Sequence, residues 1–154
     1  MKIARAETQV GRAACFTIRR AVFIEEQAIP EAEEWDDHDA TCIHYLAADQ
    51  DGPTGTARLI AKGSIAKIGR VAVTKAHRGT GLGRRIMETV LIDAAAMGFS
   101  GAELESQVDA IAFYQRLGFV AEGPEYDDGS GIMHRVMRRD LSPVSADGSM
   151  HLMR

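Results

Sequence analysis

"HRGTGLGRR", residues 77–85, sets glycines at 79, 81 and 83 between a His-Arg pair and two arginines. Glycine permits positive φ and leaves no Cβ in the path of an approaching group. The nine residues follow the apolar run "RVAV" at 70–73 and precede a four-residue recurrence of Ile86, Val90 and Ala94 beside Met87, Leu91 and Ala95. The run reads as a strand, and the recurrence as a helix from Leu82 to Met97 ended by Gly98. A glycine loop between strand and helix directs free N–H groups along the positive end of a helix dipole, which favours a phosphate. Lys75, Arg78, Arg84 and Arg85 add four cations within eleven residues of a chain whose formal charge is −4. Two common phosphate loops are excluded. No Gly-Lys-[ST] occurs anywhere, and a dinucleotide fingerprint needs glycine at 84 or 86, where Arg84 and Ile86 stand.

Working outward, "KIARAE" alternates as a short strand, and Thr8 can cap a helix through "QVGRAACFTIRRAVFIEEQ", with Val10, Ala14, Phe16, Ile18 and Val22 apolar and Pro30 stopping it. "CIHYLAA" and "TGTARLIA" form a hairpin around "DQDGP". "AKIGRVAVT" is nearly all apolar from Ile68 to Val73, the pattern of a strand buried on both faces. After the helix, "GAELES" is a strand, Asp109 can cap "AIAFYQRL", and "FVAEG" and "GIMHRVMRR" flank the turn "YDDGSG". The order is a mixed α/β chain, expected as one domain over residues 1–141 with a loose tail over 142–154. Between Pro30 and the hairpin, six carboxylates and the single Trp35 crowd residues 31–39, a stretch read as an unpacked loop.

The bulk numbers narrow the function. A content of 45% hydrophobic and 26% charged residues is globular, and the acidic balance argues against a nucleic-acid partner. No run approaches the ~18 apolar residues of a membrane span. No apolar leader opens the chain, and Cys15 and Cys42 lack disulfide or metal-ligand spacing. These features suggest a cytoplasmic protein, without membrane or metal.

The spacing of Arg78, Gly81 and Gly83 after "RVAV" fits R-x-x-G-x-G, and "AIAFYQRLGF" ends in F-Y-x-x-x-G-F. Here the chain resembles the GNAT superfamily of acyl-CoA N-acyltransferases. "VFIEEQAIPEAEEWDDHD", "HYLA" and "GTARL" resemble a subgroup of small, largely uncharacterised bacterial members. The resemblance covers about residues 1–141. It implies a central, mostly antiparallel sheet with splayed parallel strands at the acyl-CoA cleft, flanked by helices. It also implies acetyl-CoA as co-substrate, with pyrophosphate on the N–H groups of Arg78, Gly79, Thr80, Gly81, Leu82 and Gly83. Pantetheine would pair with the main chain of Val71, Ala72 and Val73, as a peptide adds to a sheet edge. Tyr114, in the F-Y position, would be the general acid for the leaving thiolate.

An acceptor amine must lose a proton before it attacks, so a base is required. Glu105 is the first candidate, with Glu103 expected on the opposite face of its strand; His134 is the second, because an imidazole titrates near neutrality. Glu33, Glu34, Asp36 and Asp37 around Trp35 could receive a cationic acceptor, the indole adding a cation–π face; a solvated acidic loop fits equally. The implied reaction is acetyl transfer to a small-molecule or peptide primary amine by direct attack in a ternary complex. A non-catalytic acyl-CoA-binding or regulatory module is the alternative. Similar proteins are commonly homodimers.

Overall fold

The Thr8 hydroxyl accepts from the Gly11 N–H at 3.0 Å, so the expected cap opens helix α1, Gln9–Arg19. The buried residues Cys15, Ile18, Arg19, Val22 and Phe23 follow a three-and-four spacing that runs past the helix end. Val10 falls off that stripe and is 81% exposed, against the sequence expectation. A second departure follows: Arg20–Glu26 is π-helical, with Gln27 donating to the Val22 carbonyl at 3.1 Å, where a continuous α-helix was expected.

The computed structural model describes residues 1–144 and 150–152, with side chains up to Leu141. Two compact units share the chain, one of Met1–Ile60 with Gly69–Val90 and the other of Ala61–Ile68 with Leu91–Arg154. In the first, β1 (Lys2–Arg5) lies antiparallel to β2 (Ile43–Asp49), and β2 pairs with β3 (Gly52–Lys62) as the expected hairpin. β4 (Ile65–Val73) lies next to β3. In the second unit the order is β4, β5 (Gly101–Gln107), β7 (Met133–Val144), β6 (Val120–Asp127). β4 and β5 pair in parallel over three residues, Ile65–Gly101 to Lys67–Glu103, and β7 is antiparallel to β5 and β6. The fold is thus a mixed sheet with helices, as the resemblance implied.

Helix α3, Leu82–Ala96, carries the apolar stripe read from the sequence. Ile86, Met87 and Val90 are fully covered in the first unit, Leu91 and Ala94 in the second. Burial of each larger side chain contributes roughly 1.5–3 kcal/mol, so the stripe fixes where the helix begins. Gly55 on β3 records how closely the helix is seated. A Cβ there would lie 2.6 Å from Ile86 Cδ1 and 3.1 Å from the Ala72 carbonyl oxygen.

Three further expectations are corrected. β4 is buried on one face, through Ala66, Ile68 and Ala72; Val71 and Val73 are half-exposed, because apolar composition alone does not count covered faces. Asp109 caps nothing: it lies in a 3₁₀ turn, Val108–Ala110, and α4 (Ile111–Gln115) starts from Ala110 without a side-chain cap. The acidic stretch is not an unpacked loop. It forms the short helix α2 (Glu31–Glu34) and a 3₁₀ turn (Asp37–Ala40) with a capping box between Asp36 and Asp39. Of the tail expected from Ser142, residues 145–149, 153 and 154 lie outside the described residues. The rest is strand, β7 continuing to Val144 and pairing with β8 (Met150–Leu152).

Candidate functional site

Gly79 and Gly81 adopt φ of +75° and +82°, and a Cβ at either would meet nothing within 4 Å. Their requirement is conformational, since left-handed backbone is costly for other residues. Gly83 already lies in the first turn of α3. The first α-helical bond of that turn runs from the Arg85 N–H to the Gly81 carbonyl at 3.1 Å. The N–H groups of Leu82, Gly83 and Arg84 precede it and have no intrahelical acceptor, the usual state of a helix N-terminus. The cations nearby differ in availability. Lys75 and Arg85 are exposed, Arg84 pairs with Glu88 at 2.7 Å, and Arg78 is bound to Glu26. The N–H groups of Leu82, Gly83 and Arg84 are thus placed to meet an anion, whereas the Arg78 N–H, one of the expected pyrophosphate donors, already donates to the Lys75 carbonyl at 3.4 Å and its guanidinium is held by Glu26.

The acidic stretch has already found its cations. Glu34, 2% exposed, takes Arg19 Nε at 2.8 Å and Arg70 Nε at 3.2 Å. Asp36 takes both Nη groups of Arg58 at 2.7 Å, and Asp39 bridges Arg19 and Arg58 at 2.6 and 2.9 Å. Three carboxylates thus face three guanidiniums. Burial pushes the Glu34 carboxyl up against the pull of Arg70 and Arg19, whereas the Arg58 hydrogen bonds bring Asp36 down to about 2. Arg70 sits in left-handed backbone at φ +50°, and its Nη2 donates to the Glu34 carbonyl at 2.9 Å, a contact that holds the strained residue. Trp35 lies 5.0 Å from the Arg19 guanidinium and 5.6 Å from that of Arg20. Of the sequence-derived acceptor residues here, Glu34, Asp36 and Trp35 meet the chain's own cations, while the Glu33 side chain is exposed. The arginines come from α1, β3 and β4, so no local pattern around residues 31–39 pointed to them.

Asp39, Cys42 and His44 bring potential metal-ligand atoms within 4.8 Å of one another, a cluster the sequence spacing did not suggest. Each is otherwise engaged. Arg19 and Arg58 hold Asp39, His44 Nε2 lies 2.9 Å from the Asp39 carbonyl oxygen, and burial pushes the Cys42 thiol up to about 11. A thiol and a carboxylate in those states are poor donors to a cation.

In the second unit Glu105 is the exposed residue of β5, and the Tyr126 hydroxyl donates to its Oε1 at 2.7 Å. Lys67 Nζ lies 3.6 Å from Oε2. Glu103 is buried and bound to Lys62 and Arg138 at 3.2 and 2.9 Å. Two residues apart on a strand share a face, so the expectation that Glu103 opposes Glu105 was wrong. Burial separates them instead. His134 Nδ1 lies 2.7 Å from the Ile132 carbonyl, which can only accept, so this nitrogen carries the hydrogen. Its Nε2 lies 3.5 Å from Asp128 Oδ2, and the Tyr126 ring lies beside the imidazole with centroids 6.4 Å apart. Tyr126 therefore joins Glu105 and His134. Sequence reading missed it because it stood inside a turn rather than a motif.

Tyr114, on α4, is half-buried, with Phe113 and Phe119 edge-on at 4.9 and 6.0 Å. Desolvation raises its phenol above the ordinary tyrosine value, so the group is protonated at neutral pH. Cys15 is also raised by burial, and neither cysteine is a ready thiolate. No helix among the described residues is long and apolar enough to cross a membrane.

A family model of the acetyltransferase (GNAT) domain matches residues 40–121. YjcF of Bacillus subtilis (strain 168), an uncharacterized N-acetyltransferase, is 36% identical over 139 residues, covering 90% of this chain and 97% of that protein. The crystal structure of an acyl-CoA N-acyltransferase from Pseudomonas aeruginosa superposes with a TM-score of 0.79 at 30% identity, covering 90% of this chain and 97% of that one. An aminoglycoside 6'-N-acetyltransferase complexed with coenzyme A gives a TM-score of 0.67 at 18% identity over 91% of this chain and 97% of that one. This last likeness is one of fold.

Proposed function

The chain belongs to the acetyltransferase (GNAT) family, whose general reaction is acetyl transfer to an amine, and on that premise we propose that it carries acetyl from acetyl-CoA to a primary amine in the cytoplasm. The observation that carries the reading is the loop at 78–83, where two left-handed glycines lead into free helix N-terminal N–H groups. A relative of the same fold is complexed with coenzyme A, which supports this choice of phosphate ligand. Val71, Ala72 and Val73 supply main-chain groups to pantetheine. The acceptor nitrogen attacks the thioester carbonyl; the C–N bond forms, the C–S bond breaks, and the sulfur takes its proton from Tyr114. The ammonium proton leaves to Glu105, directly or through water. His134, beside Tyr126, helps receive the acceptor, and the exposed Glu33 is a separate candidate for a cationic group. Direct transfer fits the protonated thiols of Cys15 and Cys42.

One observation favours the non-catalytic reading: both oxygens of Glu105 already have partners, in Tyr126 and Lys67. Two measurements separate the readings. Acetyl-CoA at ~100 times Kd should stabilise the protein by about 2.7 kcal/mol in thermal unfolding, with ATP and NAD as controls. Tyr114→Phe should then lower kcat by about a hundredfold or more and leave acetyl-CoA binding nearly unchanged. Binding without thiol release across a panel of amines would favour the module, and absence of a shift would remove the acyl-CoA reading altogether.

A further inference from the structure

Arg78 is the cation of the R-x-x-G-x-G loop, yet its guanidinium is already taken up by groups of the chain itself. Nη1 donates to Glu26 Oε2 at 2.5 Å, Nη2 donates to Glu26 Oε1 at 2.7 Å, and Nε donates to the Val73 carbonyl at 3.0 Å. A fork-to-fork pair fixes the guanidinium plane as well as its distance, which a single-point ion pair does not. The three bonds link three places: the last residue of β4, the first residue of the loop, and the end of the π-helical segment. Glu26 also brings a negative charge beside a loop suited to bind one. Its carboxyl lies below the ordinary value, owing first to the Arg78 hydrogen bond, so it is ionised at neutral pH.

We propose that Glu26 is a positioning residue for the donor: with Arg78 it forms a brace that holds the 78–83 backbone in its anion-binding shape, and the Arg78 side chain is not itself the phosphate ligand. This rests on the acyl-CoA reading and adds a residue that the loop motif does not contain. The alternative has the opposite sign. If Arg78 binds pyrophosphate directly, Glu26 competes with the ligand, and removing its charge tightens binding. If the brace holds the loop, Glu26→Gln loosens binding although it deletes a repulsive charge.

The pair is about 40% exposed on each side, so its loss should change global stability little. The test is acetyl-CoA affinity for the full chain with Glu26→Gln, Arg78→Gln and both. The brace predicts a rise in Kd of about tenfold in each single variant and no further rise in the double, the coupling expected of one shared contact. It also predicts that Glu26→Gln raises the KM for acetyl-CoA by more than it lowers kcat. Tighter acetyl-CoA binding by Glu26→Gln, or additive losses in the double variant, would overturn the brace. Amide hydrogen exchange of residues 79–82 in ligand-free protein supplies an independent reading. Faster exchange in Glu26→Gln supports the brace even if the wild type ignores acetyl-CoA, in which case the donor reading alone fails; unchanged exchange overturns the brace.

Discussion

The glycine loop and the acidic stretch both concentrate charge in the first unit, and they treat their polar groups in opposite ways. At 31–39 the carboxylates of Glu34, Asp36 and Asp39 are engaged by Arg19, Arg58 and Arg70, so six charged side chains cancel inside the chain. At 78–83 the backbone N–H groups of the helix start have no intrahelical acceptor, while the Arg78 side chain is paired with Glu26 at the surface. Charge density is therefore a poor guide to where a ligand goes. Uncommitted groups held in fixed geometry are the better one, and here they belong to the loop.

The sharpest way to break this contrast is Glu34→Ala. It leaves Arg19, 1% exposed, without one of its two carboxylates, with Asp39 still in place, and a broken buried pair costs about 3–5 kcal/mol. Urea unfolding would measure it, and a loss near zero would mean that the stretch is solvated after all. Gly81→Ala probes the loop. Left-handed backbone at φ +82° should cost about 1–2 kcal/mol, and acetyl-CoA affinity should fall more than stability does. Equal losses would place its role in folding.

Acid should weaken the arginine network in a defined window. Asp36 is lowered by Arg58 from 3.8 to about 2, so its contribution is present above about pH 4 and is lost as pH falls through about 2. Its carboxylate is one-third exposed, which reduces the size of the effect, and Asp36→Asn should flatten the acid limb of the unfolding midpoint. The smallest effect belongs to Cys42. With its thiol pushed up to about 11, alkylation should be slow at neutral pH and accelerate through about pH 11 in native protein.

What the sequence disclosed was governed by local rules. Thr8 capped its helix, the glycines led into α3, and the hairpin closed at residues 49–52 because turn chemistry and periodicity act over a few residues. What it hid depended on distant partners. Nothing near Glu34 announces Arg70, thirty-six residues on, and nothing near Arg78 announces Glu26. Glu103 and Glu105 could have been placed on one face by period-two counting alone, but their separation into a buried and an exposed acid needed Lys62, Arg138 and Tyr126. The π-helical winding at 20–26 likewise carries no local signature in an amphipathic run.

Gly55 bears on how this chain can drift. A methyl group there would press on Ile86 and on the Ala72 carbonyl, which belong to the helix and the strand flanking the loop. Lineages that enlarge residue 55 must trim residue 86 and still shift the strand, so the three positions should vary together or not at all. The seam under the glycine loop therefore tolerates change only in concert, whereas residues away from it carry no such constraint.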